Sequence, residues 1–183
     1  MSFNKPIHRI AIVGTGLIGS SWAALYLARG FDMIATNPHP NAESKLRHGV
    51  DLAWDDLTMI GLSPSATRDR LTFTPNMREA LLEADFVQEN GPEHQDFKLF
   101  AEMDNAAPPD SIIASSTSWM TMSAIQSEMD RQRPQAIESL ESSRFARQPY
   151  QQEDNLIFVF LPVLLEYPFS YKRMQFRITH FPF

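Results

Sequence analysis

The sequence predicts an α/β fold in which helices wind both faces of a parallel sheet. Three observations carry this. Short apolar runs recur along the first 134 residues, each bounded by glycine, proline or polar residues. Segments with helical periodicity lie between them. The links joining the two are short, so each strand–helix–strand unit is a crossover that leaves its strands parallel.

The elements follow in order. Ile10, Ala11, Ile12 and Val13 form a continuous apolar run ended by Gly14, the pattern of a strand buried on both faces, placed at His8 to Gly14. From Leu17 to Arg29 the period becomes helical. Leu17, Ile18, Trp22, Leu25 and Tyr26 can share a face, Ala23, Ala24 and Ala28 favour helix, and Gly30 stops it. "FDMIAT" (Phe31 to Thr36) is a second strand and "NPHPN" a turn, after which Asn41 is placed to cap a helix over Ala42 to Ile60. "GLSPSATRDR" reads as a loop and Leu71 to Thr74 as a third strand. A helix follows from Asn76 to Glu83, with Leu81 and Leu82 inward. Ala84 to Glu89 and Ser111 to Ser116 are the fourth and fifth strands, with a helix from Asp96 to Asn105 between them and another from Thr121 to Met129.

Composition bounds the function. The 183 residues carry a formal net charge of −6, against the basic face that a general nucleic-acid binder needs. There is no cysteine, hence no disulfide, thiolate nucleophile or cysteine zinc site, and no metal site is expected. No stretch reaches the roughly 18 apolar residues of a spanning helix, and "MSFNKPIHR" lacks a signal-peptide run. The expectation is a soluble, cytoplasmic protein that engages neither membrane nor nucleic acid.

Gly14, Gly16 and Gly19 form GxGxxG between the first strand and the first helix. Gly14 permits the tight turn, Gly16 lets backbone approach a pyrophosphate, and Gly19 lets the helix pack close to the strand. The helix then offers free N–H groups, among them those of Leu17 and Ile18, to phosphate. This context predicts a dinucleotide site in a Rossmann-type doubly wound parallel sheet. NAD sites usually hold the ribose with an acid about 20 residues further on. Here the second strand ends at Asn37, which is neutral and can accept one hydrogen bond; it is also a turn-former before "PHP". No arginine adjoins it to bind a 2′-phosphate, so NAD is the expected cofactor.

"GTGLIGSSWA", "VQENGPE" and "IIASSTS", in this order and on these elements, resemble the N-terminal domain of the L-3-hydroxyacyl-CoA dehydrogenase family. The resemblance is greatest to its branch of L-carnitine and L-gulonate 3-dehydrogenases and spans Ile7 to Pro134. It implies an oxidoreductase that passes hydride between C3 of a small-molecule 3-hydroxyacyl or 3-hydroxy acid substrate and NAD. It places Glu93 and Lys98, five residues apart, on the nicotinamide side of the cofactor. It makes Glu89 a support for the strand end and Ser118 the hydroxyl that binds the reacting oxygen. Ser115, Ser116 and Thr117 would shape the turn before it. Two features depart from the family. "DFKLFAEMD" is about two residues shorter, a helix rotation of roughly 200°, and Trp119 stands where smaller residues are common.

Oxidising a hydroxyl by hydride transfer needs a base for its proton. The resemblance places that histidine near Ser139, but no histidine occurs between His94 and His180. His8, His39 and His48 read as surface or turn residues. From Ala136 onward there is no glycine, yet seven of the 13 phenylalanines lie there, and "NLIFVFLPVLLEYPF" has neither clean period. A boundary is placed near Pro134, between an NAD-binding domain (1–134) and an irregular C-terminal extension (135–183). The extension does not resemble the helical domain through which the family dimerises and closes its acyl pocket. An altered reading frame, a retained intron or truncation would explain the change, and a "HPFNPP"-like sequence in another frame of the DNA would test it. A non-catalytic NAD-binding module therefore stands beside the dehydrogenase reading. The apolar tail is expected either to add a strand beside Ser111 to Ser116 or to remain a poorly packed, aggregation-prone segment.

Overall fold

β1 (Arg9–Val13) is buried at four of its five residues and supplies the centre of the sheet. Its side chains alternate between two cores. Ile10 and Ile12 face one, with Trp22, Leu27, Met33, Leu46 and Val50. Ala11 and Val13 face the other, with Leu81, Val87, Phe100, Met103 and Ile113. A strand covered on both faces has no polar side to show, which explains the unbroken apolar run.

The structure, a computed structural model, describes residues 6–91, 96–116, 129 and 137–138. After β1 come α1 (Leu17–Ala28), β2 (Asp32–Thr36), α2 (Ala42–Ile60), a 3₁₀ turn at Arg68–Arg70, β3 (Leu71–Thr74), α3 (Met77–Leu81), β4 (Phe86–Glu89), α4 (Asp96–Ala106), β5 (Ile112–Ser115) and β6 (Ile137–Glu138). The six strands lie in the order β3-β2-β1-β4-β5-β6, and every pairing is parallel. α1 and α2 cover the first core, α3 and α4 the second. The expected doubly wound sheet is therefore present. Strand order reverses between β1 and β4, and a crevice opens there at the carboxyl ends of the strands. The register ends in one row across the sheet: Thr74, Thr36, Val13, Glu89, Ser115 and Glu138 are successive partners.

Three local expectations need correction. Leu17 and Ile18 do not share the buried face of α1; they are 73% and 47% exposed, because the first turn projects beyond the core at the crevice. Leu82 is exposed while Leu81 is buried, because α3 ends at Leu81 and the chain turns away. Asn41 precedes α2 in the left-handed region (φ 64°) and its side chain caps nothing. Its carbonyl instead accepts the Lys45 N–H (3.2 Å) and the Ser44 hydroxyl (2.9 Å).

Other termini match. Gly30, at φ +87°, ends α1 and donates its N–H to Leu27 O. Asn76 caps α3 through Oδ1, which accepts the N–H groups of Arg78 and Glu79. His8, His39 and His48 are exposed. The strand beside β5 is Ile137–Glu138, at the start of the extension that follows Pro134. The tail lies outside the described residues, as does the predicted helix up to residue 128; Met129 itself is buried and belongs to no regular element. Among the described residues no helix is long and apolar enough to cross a membrane.

Candidate functional site

The glycine loop occupies the floor of the crevice. Gly14 leaves β1 at φ +88°, where a side chain would be strained, and its N–H donates to Thr36 O at 3.0 Å. A Cβ at Gly14 would lie 2.5 Å from Asn90 O, so the loop after β4 rests directly on this turn. A Cβ at Gly19 would lie 2.0 Å from Gly14 O, so α1 packs on the loop with no room for a methyl group. Gly16 differs: a Cβ there would meet nothing within 4 Å. Its space opens into the crevice, where a ligand can approach the backbone.

Gly16 precedes α1, which has no side-chain cap and no acidic residue in its first turn. Its first N–H groups are therefore not answered by a cap, and the positive end of the helix dipole faces the crevice. The Gly16 carbonyl is used inward, accepting the Ser20 N–H (2.9 Å) and Ser20 Oγ (2.5 Å). An open glycine, an uncapped helix start and exposed Leu17 and Ile18 fit a pyrophosphate with a flat adenosine beside it.

Asn37 stands at the end of β2, half-buried. Its Nδ2 donates to Thr15 Oγ1 (3.1 Å) and its Oδ1 accepts the His39 N–H (3.0 Å). It thus both forms the turn and ties β2 to the glycine loop. Thr15, buried inside the GxGxxG motif, was not singled out in the sequence, because a hydroxyl between two glycines carries no periodic signal.

The β4–β5 side is built from side chains. Glu89 and Ser115 are register partners, and both are buried. Ser115 Oγ donates to Glu89 Oε2 at 2.6 Å, while the Gly91 N–H donates to Glu89 Oε1. Ser116 Oγ donates to Asn90 Oδ1 (2.7 Å) and accepts from Gln88 Nε2 (3.1 Å). Asn90 Nδ2 donates to Gln88 O, and its N–H to Val13 O. The expected role of Glu89 as a support for the strand end matches this network; the turn that Ser115 and Ser116 were expected to shape runs on outside the described residues. Gln88 and Asn90 were missed. Their signal was present: "FVQEN" and "IIASS" turn polar at the same end of otherwise apolar strands.

Lys98 lies in the first turn of α4, exposed, with Nζ 3.9 Å from Glu102 Oε1. Glu93 and Ser118 lie outside the described residues. Among the described residues no group of three or more His, Asp or Glu side chains could hold a metal ion.

Comparison with known proteins agrees with this geometry. L-carnitine dehydrogenase of Streptomyces coelicolor is 45% identical over 128 residues, which cover 69% of this chain and 40% of that protein. L-carnitine dehydrogenase of Bacillus cereus is 41% identical over 135 residues, covering 73% of this chain and 41% of that one. Among solved structures, the NAD⁺-dependent dismutase 5-formyl-3-hydroxy-2-methylpyridine 4-carboxylic acid 5-dehydrogenase aligns at TM-score 0.60 and 32% identity, over 68% of this chain and 41% of that chain. (S)-3-hydroxybutyryl-CoA dehydrogenase of Ralstonia eutropha aligns at TM-score 0.61 over 69% of this chain and 46% of that chain; at 24% identity the likeness is one of fold. The chain spans about two fifths of the length of the L-carnitine dehydrogenases it matches. The family profile for "3-hydroxyacyl-CoA dehydrogenase, NAD binding domain" covers residues 9–137, and with this glycine loop and sheet the chain belongs to that family, whose cofactor is NAD.

Proposed function

We propose that this chain binds NAD(H) across the Gly14–Gly19 loop as the cofactor domain of an oxidoreductase acting at C3 of a 3-hydroxy acid. L-Carnitine is the first substrate to test and a 3-hydroxyacyl-CoA the second. The observation that carries the reading is the glycine loop: Gly16 opens to the crevice while Gly14 and Gly19 admit no side chain. NAD, when bound, supplies the hydride acceptor. Leu17 and Ile18 N–H groups hold its pyrophosphate, and Asn37 stands at its adenosine ribose. Glu93 and Lys98 address the nicotinamide side. Ser118 follows β5 by three residues, beyond the Glu89–Ser115 pair, and would donate to the reacting oxygen.

A second reading rests on one observation. No histidine lies between His94 and His180, and Ser139 stands where the family resemblance puts the proton acceptor. In that reading these residues bind NAD(H) without turnover. Titration by NADH fluorescence, followed by NADH oxidation with the 3-oxo form of L-carnitine or with acetoacetyl-CoA, separates the two. Turnover that Ser118→Ala lowers about 100-fold supports the dehydrogenase. Binding without turnover supports the binding module, and absence of NADH binding refutes both. The cytoplasmic setting and the link to fatty-acid metabolism belong to the same proposal.

A further inference from the structure

The second strand of this fold usually ends in an acid, which takes the ribose hydroxyls and repels a 2′-phosphate. Here both polar atoms of Asn37 are already engaged, Nδ2 with Thr15 Oγ1 and Oδ1 with the His39 N–H, and neither carries charge. From Thr36 to Ala42 there is no carboxylate at all. The next one, Glu43, accepts from Nε (3.0 Å) and Nη2 (2.8 Å) of Arg47 through one oxygen, Oε1, an ion pair that offsets its charge. Glu79, after β3, accepts the Thr74 hydroxyl. Between residues 36 and 48 the formal charge comes from Glu43, Lys45 and Arg47, with His39 and His48 also present, so this stretch is cationic in a chain of net charge −6. Lys45 and His39 are exposed at the start of α2 and the turn before it.

We infer that Asn37 leaves the ribose subsite open to a 2′-phosphate, so that the chain binds the phosphorylated dinucleotide NADPH as well as NADH. The inference rests on the NAD(H)-binding reading above. Neutral Asn37 removes the repulsion, and the cationic stretch lowers the electrostatic cost of a doubly charged phosphate. Asn37→Asp restores the acid without breaking the turn. Oδ1 still accepts the His39 N–H, and the Thr15 hydroxyl can rotate to donate.

The test is fluorescence titration with NADH and with NADPH, on the full chain, at fixed ionic strength. The two dissociation constants are expected to agree within about tenfold. Asn37→Asp should weaken NADPH by at least about tenfold while NADH holds or tightens. Asn37→Ser, neutral and still able to accept from His39, should leave the ratio where it was; a thermal melt confirms that each variant folds. A native preference for NADH of about 100-fold or more overturns the inference while leaving the NAD(H) reading intact. A ratio unmoved by Asn37→Asp overturns the role of Asn37. Failure to bind either dinucleotide overturns the reading itself, and the inference with it.

Discussion

The two walls of the crevice are made differently. On the β1–β2 side the chain presents backbone: a left-handed glycine, an open glycine and an uncapped helix start. On the β4–β5 side it presents buried polar side chains, Gln88, Glu89 and Ser115, bonded to one another or to the half-buried pair Asn90 and Ser116. A pyrophosphate is charged and can be held by N–H groups that every residue has. The chemistry at C3 of a substrate needs side-chain groups held in one orientation. Backbone recognition tolerates many neighbouring residues but no added methyl group. The polar wall tolerates small shifts but no missing partner.

The largest break expected is on the backbone wall. Gly19→Ala sets a methyl group 2.0 Å from Gly14 O, against main chain that cannot yield. In an ordinary helix the change would stabilise by up to about 1 kcal/mol; here it should cost at least about 3 kcal/mol in urea unfolding and abolish NADH binding. Gly16→Ala sharpens the contrast. With φ −69° and open space, its stability should stay within about 0.5 kcal/mol while NADH affinity falls. Equal losses at the two positions would mean that the loop is not the cradle described.

The polar wall should break next. Glu89→Ala leaves the Ser115 hydroxyl and the Gly91 N–H without this acceptor, an expected loss of about 2–3 kcal/mol by the same measurement. Glu89→Gln, which retains an acceptor oxygen, should lose less. Equal effects would deny the carboxylate its role.

The smallest effect lies in the core between α1 and the sheet. Tyr26 stacks on Trp22 at 5.3 Å and meets the edges of Phe31 and Phe86. Burial pushes its phenol well above the ordinary value, because the phenolate is poorly solvated there. Above pH 10 the unfolded chain releases this proton and the folded chain keeps it. Stability is therefore lost as pH rises, by about 1.4 kcal/mol per pH unit from this group. Tyr26→Phe should flatten that part of the alkaline limb in denaturant titrations at pH 9 to 11. An unchanged slope would show that the ring is not sealed from water.

Much of the fold was legible in sequence because its signals are local. The β1 run, the GxGxxG motif and the change from strand to helical period each lie within one element, and α2 is found where its period put it. Leu17, Ile18 and Leu82 were misplaced for a physical reason: apolar character states a preference for burial, whereas position at a helix end decides whether a neighbour is there to cover it. The GxGxxG motif named the glycines, but not which of them is jammed and which is open.

Sequence alone thus determined the order of strands and helices, the place of the glycine loop and the neutral residue at position 37. Tertiary structure decided what those residues touch. Glu89 and Ser115 are 26 residues apart and meet because the register of β4 and β5 sets them opposite each other. Thr15 and Asn37 meet because β1 and β2 end in the same row. Periodicity records which side of an element is buried. Only the pairing of distant strands fixes which polar groups share an edge, and that edge is the candidate site.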